Sequence, residues 1–546
     1  MKVIIVGGVA GGASAATRLR RLSEENEIVI FERSKNVSFA NCGLPYYIGG
    51  VIQERTKLLL QTPKSFKDRF NVDVRIQTEI LSINKKAKTV EAKNLATEEV
   101  YIESYDKLLL SPGASPFIPP LEGIHSDKIL TLRNVEDMDK IILKTSNAKK
   151  VAVVGGGFIG LEIAESFLEK GLDVTIVEFS NQVMGVVDFE IASIIHKHVE
   201  EKGLKLILET AVEKFTEKGE KIVLSLSNGE EFEVDNAIFS IGVKPENGLA
   251  KAAGLEIGKT GGIAVNEFLQ TSDKDIYAVG DAIEVTNFIN GLKTLIPLAW
   301  PANRQGRIVA DNITNGNEFS YKGSLGTSIL KILDLNVSSV GLNEKFLKQH
   351  NYHYKTVTVS RGSRAGYYPN QTTIVLKILF NKKNGTIYGA QAIGKKGIDK
   401  RIDIIATAIK GRMKVTDLSN LELAYAPPFN SAKDPVNIAG YVAENIINGE
   451  LEMINYDEVS IYQNKENHLF LDVRTKEENE RGAISNSLNI DLNTLRGKLD
   501  TLDKSKTYII YCQVGLRGYL AHRILKNNGF NCKNLNGGYS IWSKVQ

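Results

Sequence analysis

The chain has 546 residues, of which 42% are hydrophobic and 24% are charged, and its formal net charge is +4. This length exceeds what one hydrophobic core supports, so three or four globular domains are expected. The weak net charge, without a long Lys/Arg run, argues against a nucleic-acid partner. No stretch approaches the ~18 uninterrupted apolar residues of a membrane span.

Three cysteines, Cys42, Cys512 and Cys532, lie far apart in the chain. An odd number at wide spacing argues against a disulfide scaffold and for a reducing cytosol, where a functional cysteine works as a thiol. The opening MKVIIVGGVAGG is typical of a strand and a turn and lacks the pattern of a signal peptide. We therefore predict a cytoplasmic protein.

The first element is a predicted βαβ unit. KVIIV is typical of a buried parallel strand, a Gly-rich turn then enters an Ala-rich helix, and EIVIF ends at Glu32. Gly7 and Gly12 permit a tight turn and a close approach to a pyrophosphate, and Glu32 can accept hydrogen bonds from a ribose. One departure is Val9, which replaces the middle glycine of G-x-G-x-x-G.

The next segment, SFANCGLPYYIGG, contains Cys42, and Tyr47 stands where a dithiol enzyme would place its second cysteine. Only the thiolate attacks sulfur, so we expect nearby positive charge or dipoles to lower the pKa of Cys42. A buried, inert cysteine is the alternative. The flanking residues disfavour it because they suit a core strand poorly: Asn41, Gly43 and Pro45.

A second βαβ unit follows in KKVAVVGGGFIGLEIAESFLEKGLDVTIVEFS. Gly155, Gly157 and Gly160 are in full register, and the second strand ends at Glu178. An ordinary α/β unit with a Gly-rich turn is the alternative for either copy, but two copies indicate two dinucleotides. Glu178 favours NADH, because a carboxylate repels the 2′-phosphate of NADPH.

Two shorter signatures accompany these units. YDKLLLSPGASP, at 105–116, is typical of a strand that ends in a Pro/Gly turn, and TSDKDIYAVGDA, at 271–282, of a strand that ends at Asp281. An aspartate there can reach a ribityl hydroxyl or a pyrophosphate-bound water. Standing alone, it would be interpreted as a turn aspartate.

Together the four stretches resemble the two-dinucleotide flavoprotein disulfide reductases. The resemblance covers residues 1 to about 445 and implies that the first glycine loop holds FAD and the second NAD(P)H. It implies an FAD-binding domain at 1–115 and 245–320, an NAD(P)H-binding domain at 116–244, and a dimerisation domain at 321–445 that forms a homodimer. It further implies cofactor contacts from Arg33 and Pro301.

The Cys42 segment is similar to the single-cysteine branch of that family, which comprises coenzyme A disulfide reductases, NADH oxidases and NADH peroxidases. YYP, at 367–369, and AYAPPFNSAKDPVN, at 424–437, resemble the coenzyme A disulfide reductases. The resemblance implies that Tyr367 and Tyr425 reach across the dimer to the substrate thiol. Considered without it, they would be an exposed loop aromatic and an interface packing residue.

Coenzyme A carries a 3′-phosphate and a diphosphate, which require cationic donors. The first helix offers Arg18 and Arg21, and Ser14 shares a helix face with Arg18 at i/i+4 spacing. A solvated basic helix face is the alternative. The resemblance implies a coenzyme A-binding set made of Ser14, Arg18, Arg21, Ser38, Asn41 and Lys433.

Residues 455–546 begin a new α/β unit, in which TYIIY precedes Cys512 and CQVGLR enters a helix. Backbone N–H groups of such a loop form an anion cradle, and Arg517 adds a full charge, so we expect a depressed Cys512 pKa and a pocket for a sulfane or thiosulfate anion. LDVRTKEENERGAISNSLNI, this loop and LNGGYSIW resemble a rhodanese domain, which implies a persulfide on Cys512. Cys532 is interpreted as structural.

The predicted architecture is α/β, with two Rossmann-like dinucleotide-binding domains, an α+β dimerisation domain and a C-terminal rhodanese-like α/β domain. The predicted enzyme passes electrons from NADH or NADPH through FAD to Cys42, reduces coenzyme A disulfide, persulfide or polysulfide, and handles sulfane sulfur on Cys512. One alternative is an NADH oxidase or peroxidase with a Cys42 sulfenic acid. Another is a sulfur carrier with a scaffolding flavin domain. No metal site is predicted, and His196 and His198 are expected at the surface.

Overall fold

The computed structural model describes residues 1–546. It divides into two compact units, Met1–Asn181 with Leu204–Gly326, and Gln182–Gly203 with Thr327–Gln546. Among its helices, none is both long and apolar enough to cross a membrane.

The first unit is built around two five-stranded parallel sheets. Their central strands are continuous apolar runs, as expected where helices cover both faces of a sheet. In spatial order, the first sheet contains Ile276–Ala278, Lys107–Leu110, Lys2–Val6, Glu27–Phe31 and Asp73–Arg75. The second contains Lys205–Ile207, Asp173–Val177, Lys150–Val154, Asn236–Phe239 and Ile129–Leu130.

Smaller antiparallel sheets and seven helices complete this unit. The three-stranded sheets are Thr78–Asn84 with Thr89–Asn94 and Val100–Ser104, and Val212–Lys218 with Lys221–Leu226 and Glu231–Val234. The two-stranded sheets are Ala114–Pro116 with Val243–Pro245, and Val285–Thr286 with Lys293–Thr294. The helices are Ala10–Leu22, Leu44–Ile48, Pro63–Phe70, Val135–Lys144, Phe158–Glu169, Gly248–Ala252 and Ala299–Asn315.

The second unit contains an antiparallel five-stranded sheet and a parallel five-stranded sheet. The antiparallel strands are, in spatial order, Ser328–Ile332, Leu335–Gly341, Ile387–Gly394, Thr373–Phe380 and Lys355–Gly362. The parallel strands are Met453–Ile454, Asn531–Leu535, Thr507–Tyr511, His468–Asp472 and Leu488–Asn489. The helices are Phe189–Glu201, Glu344–Gln349, Ile398–Lys410, Pro435–Ile447, Val459–Gln463, Lys476–Glu480, Leu492–Leu495, Leu516–Asn527 and Gly538–Trp542.

A buried asparagine joins the two sheets of the second unit. Asn536 follows the strand Asn531–Leu535, and its Oδ1 accepts a hydrogen bond from the backbone N–H of Thr358 at 2.8 Å. Its Nδ2 donates to Asn455 Oδ1 at 3.0 Å. Buried polar groups need such partners, so the C-terminal sheet is fixed to the edge strand Lys355–Gly362 by specific contacts.

A buried ion cluster also lies in this unit. The Lys377 side chain is 1% exposed, and its ammonium pairs with Asp188 and Glu344 at 2.8 Å each and with Glu190. The three carboxylates lie close enough to suggest ligands for a metal ion. The Lys377 ammonium supplies positive charge among them, so the cluster is an ion-pair network.

The α/β architecture that the sequence predicts is confirmed, whereas the surface positions predicted for the two histidines are wrong. His196 is partly buried, its Nε2 accepts a hydrogen bond from the backbone N–H of Val183 at 3.2 Å, and burial lowers its pKa to about 4. His198 is partly buried and lies 2.6 Å from Asp334. Both belong to the helix Phe189–Glu201, whose packing face is wider than their i/i+2 spacing suggests.

Candidate functional sites

The first glycine loop leaves no room for a side chain at Gly7 or Gly12. Gly7 has φ +94°, and a Cβ there would lie 2.1 Å from the backbone oxygen of Ser111. A Cβ at Gly12 would lie 1.9 Å from the Gly7 oxygen. Glu32, at the end of the second strand, accepts from the Gly8 N–H at 2.9 Å. The loop therefore brings bare backbone and a carboxylate together, which fits a dinucleotide with a free ribose hydroxyl pair.

The second glycine loop repeats this geometry. Gly155 has φ +107°, and a Cβ at Gly160 would lie 2.0 Å from the Gly155 oxygen. A Cβ at Gly157 would meet nothing within 4 Å, so this glycine faces open space. Glu178 accepts from the backbone N–H groups of Gly156 at 2.7 Å and Ser180 at 2.8 Å. This loop also fits a dinucleotide.

The remaining predicted cofactor residues differ in their surroundings. Asp281 lies in a 3₁₀ turn after the strand Ile276–Ala278, and burial raises its pKa to about 6. Hydroxyl donors of a bound ribityl chain would favour its ionised form. Pro301 is buried in the first turn of the helix Ala299–Asn315. Arg33 is exposed, and its guanidinium lies 3.1 Å from Glu246.

Cys42 lies in the 3₁₀ turn Asn41–Gly43 and is exposed. The expectation of a lowered pKa is wrong for this chain. Atoms that crowd the thiol desolvate it, and the carboxylates of Glu162 and Asp281 disfavour the thiolate, so the pKa of Cys42 is raised. The sequence predicted nearby positive charge or dipoles. The charged groups that act on Cys42 are acids, and a backbone N–H that lowers the pKa does not outweigh them and the burial of the thiol.

Glu162 is a residue of this site that sequence reasoning missed. It lies on the helix Phe158–Glu169, which packs against Leu44–Ile48, and Ser166 on the same helix donates to the Pro45 oxygen at 2.8 Å. Tyr46 donates to Glu162 at 3.4 Å, and burial raises the pKa of Glu162 to about 7. Glu162 is therefore poised to change charge near neutral pH, beside the thiol.

The predicted coenzyme A residues of the first helix differ in their availability. The Arg18 guanidinium pairs with Asp311 at 2.7 Å, and Ser14 Oγ donates to Asn303 at 2.5 Å. Arg21 is exposed. Arg20, between them, is buried and donates to backbone oxygens, including those of Phe70 and Asn26. Arg21 is thus the more accessible cation of the predicted pair.

Two further members of that set lie next to Cys42 in the chain. Ser38 adopts a left-handed conformation with φ +48°. Its N–H donates to the Gly8 oxygen at 2.8 Å, which connects this segment to the first glycine loop. Asn41 is exposed at the start of the cysteine turn. The segment that contains Cys42 is therefore hydrogen-bonded to the predicted FAD-binding loop four residues before the cysteine.

Tyr367 and Tyr425 lie together in the second unit. Their hydroxyl oxygens are 3.0 Å apart, although 58 positions separate them in the chain. The residues are 76% and 48% exposed, and the mutual hydrogen bond raises the pKa of Tyr367. Lys433 is exposed, and its ammonium lies 6.0 Å from the ring centroid of Tyr441. An exposed pair of phenols is a suitable donor site for a thiolate or phosphate.

The Cys512 loop has the predicted strand–loop–helix form. Cys512 follows the strand Thr507–Tyr511 and is 1% exposed, and the Gly515 N–H donates to its sulfur at 3.1 Å. Gly515, with φ +109°, precedes the helix Leu516–Asn527. The Tyr539 N–H donates to the Cys512 backbone oxygen at 2.8 Å, which attaches the loop to the helix Gly538–Trp542.

Arg517, which the sequence predicts to add a full charge to this loop, is paired with an acid. Its two terminal nitrogens donate to the two carboxylate oxygens of Glu478 at 2.6 and 2.7 Å. Sequence reasoning missed Glu478, although the pattern Thr475-x-x-Glu478 is a capping box, which the structure contains. Cys532 lies in the strand Asn531–Leu535, and burial raises its pKa to about 11.

The comparisons with known proteins identify the family. The model of the family described as pyridine nucleotide-disulphide oxidoreductase matches residues 1–306. A coenzyme A disulfide reductase from Staphylococcus haemolyticus is 36% identical over 447 residues, which are 82% of this chain and 100% of that protein. The chain belongs to the pyridine nucleotide-disulphide oxidoreductase family.

Two further domain families match the C-terminal part of the chain, and solved structures match its full length. The dimerisation domain of the family matches residues 327–435, and a rhodanese-like domain matches 455–545. The reduced CoADR-RHD of Bacillus anthracis has a TM-score of 0.97 and 49% identity, covering 100% of this chain and 98% of that one. An NAD-dependent persulfide reductase from A. fulgidus has a TM-score of 0.93 and 38% identity, covering 99% and 100%. The predicted family and its FAD and NAD(P)H cofactors are confirmed.

Proposed function

We propose that this protein is an NAD(P)H-dependent flavoprotein that reduces coenzyme A disulfide or coenzyme A persulfide at Cys42 and handles sulfane sulfur at Cys512. The observation that carries the proposal is the exposed, free thiol of Cys42, which is the only cysteine of the first unit. A thiol without a resolving partner must form its disulfide with a sulfur that the substrate brings.

The chain's own step is a thiol–disulfide exchange. The Cys42 thiolate attacks one sulfur of coenzyme A disulfide, the substrate S–S bond breaks, and one coenzyme A thiolate leaves while Cys42 becomes a mixed disulfide. With coenzyme A persulfide, attack on the inner sulfur gives the same mixed disulfide and releases HS⁻. Bound FAD and NAD(P)H supply the two electrons that return the mixed disulfide to two thiols.

Coenzyme A recognition is assigned to residues near Cys42 and to the tyrosine pair. We propose that Ser14, Ser38 and Asn41 line the approach to the thiol and that Arg21, with Arg18 and Lys433, binds phosphates. The Tyr367–Tyr425 pair is exposed in a region that matches the family's dimerisation domain. This supports a homodimer in which each tyrosine pair contacts substrate at the partner subunit's thiol.

NADH is the expected electron donor, since Glu178 holds the second glycine loop through the N–H of Gly156. The carboxylate repels a 2′-phosphate but accepts from a free 2′-hydroxyl. All three cysteines are free, which supports a reducing, cytoplasmic setting.

Steady-state kinetics separate this proposal from an NADH oxidase or peroxidase. We expect NADH oxidation to be fast with coenzyme A disulfide and slow with hydrogen peroxide or oxygen. In Cys42→Ser, NADH oxidation with coenzyme A disulfide or coenzyme A persulfide should be lost. Faster turnover with peroxide would instead support a Cys42 sulfenic acid cycle. If NADH fails to bleach the bound flavin, the flavin domain is a scaffold and the sulfur-carrier alternative is favoured.

A further inference from the structure

The Cys512 loop contains a compensated cation. Arg517 makes a two-pronged contact with Glu478, and the Thr475 N–H also donates to Glu478, at 3.0 Å. Arg517 holds the pKa of Glu478 down to about 2, so this carboxylate is ionised throughout the physiological range. A fork-to-fork contact of this kind occupies the guanidinium edge that an oxyanion would use.

Two further charged groups contact or act on the residues of this loop. Asp491 also acts on Arg517 and is a second acid. Arg474 is buried and is neutralised by Asp472 at 2.7 Å. Before Cys512 ionises, these side chains thus sum to one excess negative charge. The thiolate required for reaction adds another.

The helix that follows the Cys512 loop exposes two apolar side chains. Leu516, within the loop, is 46% exposed, and Leu520 is 44% exposed. Their i/i+4 spacing places them on the same face of the helix Leu516–Asn527. An uncharged chain can cover these side chains, whereas a small inorganic dianion gains nothing from them.

We propose that Glu478 is a specificity-determining residue of the Cys512 site. By neutralising Arg517, it disfavours dianionic sulfur donors such as thiosulfate and reserves the site for persulfides carried on an uncharged organic chain. The proposal rests on the proposed sulfur-handling role of Cys512 and names its donor class.

The two donor reactions differ in charge at the moment of attack. With an organic persulfide, Cys512–S⁻ attacks the outer sulfur of R–S–SH, the S–S bond breaks, and Cys512–S–SH and RS⁻ form. With thiosulfate, Cys512–S⁻ attacks the outer sulfur of S–SO₃²⁻ and releases sulfite, so three negative charges meet beside a neutralised arginine. Neither reaction requires an external oxidant or reductant.

The experiment compares the two donors on the full-length holoenzyme. Pantetheine persulfide and thiosulfate are the probes, and intact mass spectrometry follows the addition of one sulfur atom to Cys512, with Cys512→Ser as the blank. Glu478→Gln keeps the size and shape of the side chain, removes its charge and replaces one acceptor oxygen with an NH₂ donor. Glu477→Gln is the matched control, since the neighbouring Glu477 makes no ion pair with Arg517.

We expect Glu478→Gln to raise the rate constant for loading by thiosulfate at least about tenfold, mainly by lowering the thiosulfate concentration that gives half the maximal rate. The rate of loading by pantetheine persulfide should change less than about twofold. Glu477→Gln should resemble wild type with both donors. Added salt should accelerate the reaction of the wild-type protein with thiosulfate, because it screens the repulsion between like charges, and should leave the reaction with pantetheine persulfide unchanged. This measurement does not depend on whether Glu478→Gln folds.

Two results would overturn the inference: a wild-type preference for thiosulfate, or a salt-independent thiosulfate rate that Glu478→Gln leaves unchanged. Failure of the proposed function is a different outcome, because neither donor would then load Cys512 in the wild-type protein.

Discussion

The reactivity of Cys42 depends on a residue 120 positions further along the chain. Glu162 disfavours the Cys42 thiolate only when it is itself ionised, and its pKa is about 7. Below pH 7 Glu162 is mainly neutral, whereas above pH 7 its charge raises the free energy of a neighbouring thiolate. Above pH 7, ionised Glu162 therefore opposes the formation of the Cys42 thiolate.

Glu162→Gln should remove this restraint. We expect the pKa of Cys42 to fall while the part of its elevation that burial causes remains, with the difference from wild type present above pH 7 and small below it. The pH dependence of iodoacetamide alkylation at Cys42 measures this shift. Glu169→Gln, an exposed position at the end of the same helix, is the control and should have no effect. An unchanged alkylation profile in Glu162→Gln would exclude the electrostatic role.

This site shows what could be predicted from the sequence at the residue scale. The position of Cys42 and the missing second cysteine follow from one segment, because the motif is local. The sign of its pKa shift could not be predicted, since it depends on helices brought together by tertiary packing. Glu478 is intermediate: its capping-box pattern is local, but its contact with Arg517 joins two helices that lie 39 positions apart in the chain.

At the scale of elements, the two glycine loops are the most predictable feature. Strand, turn, helix and terminal acid are encoded within about thirty residues, and the structure contains both loops with their acids bonded to loop N–H groups. Substitution of Val9 for the middle glycine does not prevent the first loop from forming, because the Val9 oxygen still accepts the Ala13 N–H at 2.9 Å.

Gly12→Ala should disrupt the first loop. The added Cβ would meet the Gly7 oxygen, so the loop must shift by more than an ångström, and we expect protein purified without a substantial part of its flavin, measured by the visible absorbance. Gly248→Ala is the control, since a Cβ there meets nothing within 4 Å. Full flavin content in Gly12→Ala would contradict the assignment of this loop.

The tyrosine pair gives a second prediction at this scale. Tyr367→Phe removes one hydroxyl of the hydrogen-bonded pair and keeps the ring. We expect kcat/KM for coenzyme A disulfide to fall about tenfold while the rate of flavin reduction by NADH stays unchanged, as stopped-flow absorbance would show. Equal loss in both half-reactions would indicate a structural role for the pair.

At the scale of the whole molecule, the sequence predicts the order of the folded regions but not their mutual attachments. The rhodanese-like sheet follows from its own motifs. Its fixation through Asn536 to Thr358 depends on single side chains that carry no local signal. The Lys377 cluster is similar, because its acids come from two segments that lie far apart in the chain: Asp188 and Glu190 from one, and Glu344 from the other.

Lys377→Met should destabilise the fold. Removing the ammonium leaves three buried carboxylates without a counter-charge, which costs about 3–5 kcal/mol in the free energy of unfolding. Urea denaturation measures the change, and Lys382→Met, at an exposed position after the same strand, is the control. Equal stability of the two variants would contradict the ion-pair interpretation.

We propose that the substrate's sulfur, and no second cysteine, completes the disulfide on Cys42. Intact mass spectrometry of the protein after exposure to coenzyme A disulfide tests it most directly. We expect an adduct of one coenzyme A per chain, removed by reductant and absent from Cys42→Ser. An adduct that persists in Cys42→Ser, or a wild-type Cys42 that acquires oxygen but never coenzyme A, would contradict it.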